Sequence, residues 1–241
     1  MTAALQTIER KSGPVDQPAT AAIIWMHGLG ADANDFVPLV PELELRGRDG
    51  SPLSIRFVFP NAPTIPVTIN GGMSMRAWYD ILHMDIGGGS GANPIAAPRE
   101  DEKGLRASQA MVDALIAAQV ATGIPASRIF LAGFSQGAAM TLMTGLRQPE
   151  RLAGLIVLSG YLPLAAHLTG ERHPLNHDVP IFMAHGTYDP VVRIERAMQS
   201  RDLLVKLGYA VDWHSYPMQH SVCGEEVAAI GAFLRRVLDP K

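Results

Sequence analysis

Short, mostly apolar runs alternate along the chain with longer stretches whose apolar residues recur every three or four positions. The short runs at residues 21–26 (AAIIWM), 55–59, 129–132, 153–158, 180–184 and 211–216 predict strands, most of them apolar and β-branched enough to be buried on both faces. Helical spacing holds over 101–122, where Leu105, Met111, Leu115 and Ile116 share one face, and over 193–207 and 225–238. Gly208 stands where a helix C′ glycine belongs. Residues 32–45 predict a further helix, entered through Asn34 and Asp35, although Pro38 and Pro41 fall in its first turns. The polar N-terminal segment 1–19 supplies an edge strand near 5–10. Strands alternating with helices from end to end predict an α/β fold, a mostly parallel sheet with helices on both faces. With no repeat and no linker, residues 1–241 read as one α/β domain.

One stretch breaks the pattern. Residues 61–98 hold no clear periodicity and carry Pro63, Pro66, the Gly71-Gly72 pair, Trp78-Tyr79-Asp80 and a glycine-rich run at 87–94. A loop of that length inside a compact domain is uncommon unless it serves a function. Its Met73, Met75, Trp78, Ile81, Leu82 and Met84 have two readings of equal weight, an apolar substrate groove or a small local core. Exposed apolar residues there serve a homodimer contact equally well.

Composition narrows the class. The chain has 241 residues, 47% of them hydrophobic, and a net charge of −3 with no long basic run, which argues against nucleic acid as a partner. The single cysteine, Cys223, excludes an intramolecular disulfide framework and fits a reducing compartment. No secretory signal is visible at the start, and no apolar run approaches the ~18 residues of a membrane span. The expectation is a cytoplasmic protein without stable membrane insertion.

The chemistry gathers at Gly133-Phe134-Ser135-Gln136-Gly137, a G-x-S-x-G pattern between the strand at 129–132 and a helical run of small residues. So tight a strand-to-helix turn strains the serine backbone and leaves no room for Cβ atoms two residues either side. Ser135 is the candidate nucleophile. A serine hydroxyl needs a base, and the base an orienting acid, in the chain order Ser, Asp or Glu, His. Functional groups of parallel sheets gather at the carboxyl ends of strands. Asp189 follows the strand at 180–184, whereas Asp178 precedes it, Asp202 sits within a helix and Asp212 within the last strand. His220 follows the last strand. His214 lies inside it, His167, His173 and His177 lie in an earlier connection, and His185 reads as a structural hydrogen-bonding group. The oxyanion needs two backbone donors: the N–H of Gln136, following the nucleophile, and that of Leu29 in the loop His27-Gly28-Leu29-Gly30.

These residues sit in a wider set of motifs. HGLGAD (27–32), RFVFPNAP (56–63), VTINGGM with RAWYD (67–80), REDEKG (99–104), GFSQG (133–137), HGTYDPVV (185–192) and YPMQHSVC (216–223) resemble, in order, the bacterial carboxylesterase and acyl-protein thioesterase family of α/β-hydrolases. The resemblance runs from about residue 20 to 238. It implies an α/β-hydrolase fold, a mechanism without metal or other cofactor, a Ser135, Asp189, His220 triad, oxyanion donors at Leu29 and Gln136, and an acyl groove bordered by residues 64–84. Two departures stand out: Ala138 replaces the glycine of the family's usual GFSQGG, and residues 87–98 are longer and richer in glycine. Cys223 reads as a small buried filler.

The reading is a serine carboxylesterase acting on a small-molecule ester or acyl substrate, with Met73, Trp78 and Leu82 as substrate-binding candidates. An acyl-protein thioesterase or lysophospholipase with the same triad is the nearest alternative, since thiol and alcohol leave through the same intermediate. A non-catalytic binding protein of the same fold is disfavoured because all three triad residue types are present, and a dienelactone-hydrolase-like protein would carry Cys at the elbow.

Overall fold

The computed structural model describes residues 4–83 and 100–239. In chain order the elements are β1 (Thr7–Lys11), β2 (Ala21–Met26), β3 (Ile55–Pro60), β4 (Thr64–Val67), β5 (Met73–Arg76), α1 (Glu102–Ala121), β6 (Ile129–Phe134), α2 (Gln136–Gly145), β7 (Gly154–Leu158), α3 (Leu168–Glu171), β8 (Ile181–Gly186), α4 (Ile194–Lys206), β9 (Val211–Tyr216) and α5 (Gly224–Leu238). Seven strands form one sheet in the order β1-β3-β2-β6-β7-β8-β9. Only β1 runs antiparallel to its neighbour, pairing Thr7 with Pro60. This is the α/β-hydrolase fold, a mostly parallel seven-stranded sheet with flanking helices.

Period-two alternation sends neighbouring residues of each central strand to opposite layers. Ile24 and Leu131 pack with Leu105, Val112 and Ile116 of α1, with α2 and with Leu204 of α4. Ile23, Phe57, Phe130 and Phe182 pack on the other side with Phe36, Leu43 and the Ile230, Phe233 and Leu234 stripe of α5. Both faces are covered, so β2 and β8 are buried at every residue, as their continuous apolar runs require.

Three expectations need correction. Residues 32–45 form no α-helix but two 3₁₀ turns, Val37–Leu39 and Pro41–Leu43. Pro38 and Pro41 each lack the N–H an α-helix would need. The apolar positions still reach the core through Phe36 and Leu43. The described part of the long aperiodic stretch, residues 61–83, carries regular structure that the sequence did not signal: β4 and β5 form an antiparallel hairpin pairing Thr64 with Arg76 and Val67 with Met73. Met84 and the segment 87–98 lie outside the described residues. In α1 the inward stripe runs through Val112; Leu115 packs half-buried against the same core, while Met111 is half-buried outside it. Asp101 caps this helix, its carboxylate accepting from Gly104 N–H (2.9 Å) and from Asp80 N–H (2.9 Å), which ties the end of the hairpin segment to α1. Among the described residues no helix is long and apolar enough to cross a membrane.

Candidate active site

The candidate residues stand on four loops leaving the carboxyl ends of β2, β6, β8 and β9. Ser135 follows β6 directly, with φ 56° and ψ −116°. A left-handed backbone at a serine costs on the order of 1–3 kcal/mol and persists only where its surroundings enforce it. Here they are close-packed backbone. A Cβ on Gly133 would lie 2.2 Å from the Gly137 carbonyl carbon, and one on Gly137 would lie 2.2 Å from the Met26 carbonyl oxygen. Glycine is therefore required on both sides. Serine commonly caps a helix through its side chain, but Ser135, the N-cap of α2, makes no such bond. Its hydroxyl is left for other chemistry.

Asp189 and His220 meet through the pairing of β8 with β9. His185 stands opposite Ser215 and Gly186 opposite Tyr216 in register. Beyond the strands, Thr187 N–H donates to the Tyr216 carbonyl (2.8 Å) and Tyr188 N–H to that of Met218 (3.0 Å), stitching the two loops together. His220 Nδ1 lies 2.6 Å from Asp189 Oδ2. Asp189 Oδ1 accepts from the N–H groups of Val191 (2.8 Å) and Val192 (2.9 Å). Burial alone would raise this carboxyl. Hydrogen bonds from His185, His220 and Val192 N–H outweigh it and hold the group well below the usual carboxylate range. An ionised carboxylate only accepts, so Nδ1 of His220 carries a proton, which leaves Nε2 as the nitrogen able to act as a base. The His220 ring packs on Phe134, the residue before the nucleophile, with centroids 4.6 Å apart. His185 is buried, 2.7 Å from the Val192 carbonyl and 3.4 Å from Asp189 Oδ2. That is the hydrogen-bonding role expected of it.

The loop after β2 lies against the nucleophile: a Cβ on Gly28 would touch the Ser135 Cβ at 3.4 Å. The N–H groups of Leu29 and Gln136 enter no hydrogen bond among the described residues. His27 is buried, and burial lowers its pKa. Its Nε2 accepts from Ala62 N–H (3.0 Å) and its Nδ1 pairs with the Gly28 carbonyl (2.7 Å), so the ring is neutral and fastens the loop.

The substrate-binding candidates separate. Met73 on β5 is 64% exposed and Leu82 is half-buried. Trp78 is only 2% exposed, and its indole N–H donates to the His27 carbonyl (3.0 Å). So enclosed a ring offers almost no surface to an acyl chain. The β4–β5 hairpin lies against the loop after β2: Gly30 N–H donates to the Arg76 carbonyl (2.8 Å) and Met75 Sδ lies beside Gly30. Cys223, expected as a small buried filler, is half-buried at the N-cap of α5. Among the described residues no three His, Cys, Asp or Glu side chains are placed to hold a metal ion. Sequence reasoning missed the Gln136 side chain altogether. Its carboxamide bonds Trp78 and Tyr79, residues too distant in the chain to betray a contact.

A parallel sheet that delivers a strained serine, an Asp–His pair and a loop with unbonded N–H groups to one edge defines a hydrolase of the α/β class. Residues 11–238 match the model of the phospholipase/carboxylesterase family, and the chain belongs to that family, whose members act on ester or thioester bonds. It is 42% identical over 218 residues to acyl-protein thioesterase 1 of Neurospora crassa, covering 89% of this chain and 86% of that one. Among solved structures it resembles Arabidopsis thaliana SOBER1 (28% identity, TM-score 0.79, 91% of this chain and 99% of that one). It also resembles Zea mays acyl-protein thioesterase 2 (27% identity, TM-score 0.75, 95% and 99%).

Proposed function

We propose that this chain is an acyl thioesterase of the acyl-protein thioesterase kind, working through an acyl-enzyme on Ser135. The observation that carries the thioester reading is the 42% identity, over 89% of the chain, to a protein named acyl-protein thioesterase 1. It moves that alternative ahead of the simple carboxylesterase reading drawn from the sequence.

His220, held by Asp189, takes the Ser135 proton on Nε2 as Oγ bonds to the acyl carbon. The carbonyl π pair moves onto oxygen, where the N–H groups of Leu29 and Gln136 meet the negative charge. Collapse expels the thiol sulfur, which leaves with the proton from His220. Water then adds to the acyl-enzyme, giving its proton to the same imidazole, and Ser135 is regenerated with release of the carboxylic acid. Met73 and Leu82 on the hairpin side border the acyl chain.

Two measurements test this together. Intact-protein mass after fluorophosphonate treatment should show one adduct on wild type and none on Ser135→Ala. Turnover in Ser135→Ala should fall by about 10⁶-fold, as when a triad nucleophile is removed. Activity within tenfold of wild type would refute Ser135. Matched thioester and oxyester substrates of increasing acyl length then separate thioesterase from carboxylesterase. A kcat/KM that rises with chain length and favours the thioester supports the proposal; preference for short oxyesters restores the carboxylesterase reading.

A further inference from the structure

We infer that Gln136 and Trp78 are positioning residues that set the spacing of the two oxyanion donors, an inference that rests on the oxyanion role proposed for Leu29 and Gln136. Those donors come from separate parts of the chain, the loop after β2 and the first residue of α2. A hole built from two loops stabilises charge only if both N–H groups stay aimed at one point, within a few tenths of an ångström.

Trp78 spans the two parts. Its backbone N–H donates to Gln136 Oε1 (2.9 Å), and its indole N–H donates to the His27 carbonyl (3.0 Å), two residues before Leu29. The Gln136 amide is engaged at both ends, because its Nε2 also donates to the Tyr79 carbonyl (2.7 Å). The Trp78 carbonyl is held in turn by the Ser108 hydroxyl of α1. Gln136 is 3% exposed and Trp78 2%, so water does not compete for these bonds. The partners also dictate the side chain: the site needs one acceptor facing an N–H and one donor facing a C=O, at glutamine's reach. An ionised glutamate would set a carboxylate oxygen against the Tyr79 carbonyl. A protonated one would restore both bonds.

The test compares Gln136→Met, Gln136→Glu and Trp78→Phe with wild type, using a p-nitrophenyl ester and a trifluoromethyl ketone that forms a tetrahedral oxyanion adduct. The Gln136 backbone N–H survives in every variant. Losing a whole oxyanion donor typically costs 10²–10³-fold in kcat, so misaiming one should lower kcat by roughly 10–100-fold in Gln136→Met, with KM within about threefold. Ketone affinity should weaken by a similar factor. Trp78→Phe, which loses only the indole donor, should show the same split more weakly. In Gln136→Glu, activity relative to wild type at the same pH should fall as pH rises from 5.5 to 8, because only the neutral acid bridges both partners. Unchanged kcat and ketone affinity in the folded variants would overturn the proposal, as would losses confined to KM or a flat pH ratio. Fluorophosphonate labelling keeps the two readings apart: an unlabelled wild type sinks the Ser135 mechanism, whereas labelled proteins with wild-type kcat sink only the strut.

Discussion

Glu226, in the first turn of α5, is fully buried, and both its carboxyl oxygens lack hydrogen-bond partners among the described residues. It occupies the third helical position after the N-cap Cys223, where a capping-box glutamate reaches back toward the cap N–H. Burial pushes the carboxyl pKa from 4.5 up to about 8 against the opposing pull of that N–H. Two titratable groups coupled to it are Tyr216 on β9, itself pushed up to about 12 by burial, and the Cys223 thiol, raised by burial. Neither supplies a cation.

Replacing Glu226 with Gln therefore tests the burial directly. At pH 7 the folded chain keeps the proton while the unfolded chain, with a pKa of 4.5, has released it. The gap of ~2.5 pH units at ~1.4 kcal/mol each makes the glutamate cost about 3 kcal/mol of stability at pH 7. The sign follows from a raised folded pKa: wild-type stability is fully present below 4.5 and declines as pH rises toward 8. Glu226→Gln keeps the shape and a neutral polar group but removes the linkage. Its advantage should be near zero at pH 4.5, grow by about 1.4 kcal/mol per pH unit and level off near pH 8. For a chain of this length that corresponds to a melting-temperature gain of roughly 6–12 °C at pH 7. Thermal or urea unfolding of both proteins at four or five pH values measures it. A gap that stays flat across pH would show that folding leaves the carboxyl pKa unshifted, and one that widens toward acid would show a carboxylate ionised and paired in the fold; either result would refute the reasoning.

Asp189→Asn should leave the chain folded but lower its melting temperature at neutral pH, since the ionised carboxylate, held well below its usual range by its hydrogen bonds, stabilises the fold and an amide NH2 cannot accept from His220. It should also lower kcat by about 10⁴-fold, because the imidazole loses the acceptor that fixes its tautomer; a loss under tenfold would remove Asp189 as the orienting acid. A Cβ on Gly160 would fall 2.4 Å from the Cβ of Ala138 and 3.1 Å from the Ser135 carbonyl oxygen. Gly160→Ala should destabilise by about 1–3 kcal/mol through overpacking. Adding Ala138→Gly, the glycine usual in the family this chain resembles, should recover at least half of that, and strict additivity in the resulting double-mutant cycle would show that the two sites do not touch.

What the sequence disclosed and what it hid divide along a physical line. Strands β2, β6, β7 and β8 are covered on both faces, so they read as unbroken apolar runs with nearly correct ends. Once those ends are known, a parallel sheet delivers whatever follows them to one edge. Ser135, Asp189 and His220 could therefore be ranked by position without any knowledge of contacts. The stretch at 32–45 misled because its apolar spacing is real while its proline backbone is not helical. Periodicity reports burial before it reports hydrogen bonding. The β4–β5 hairpin escaped because strands of four residues, one containing Pro66, are too short to carry a period to detect. Hidden most completely were contacts that depend on reach. The Gln136 amide meets Trp78 and Tyr79 across 58 and 57 positions of chain. Read alone, Trp78 was an aromatic in an apolar loop, and a groove wall was a fair inference. In the fold the same ring is buried with its indole N–H on the His27 carbonyl, so under the proposed function control of acyl length falls to the hairpin residues still exposed, Met73 foremost. A Met73 substitution should accordingly change chain-length preference without changing the rate on a short acyl group, whereas one at Trp78 should slow both alike.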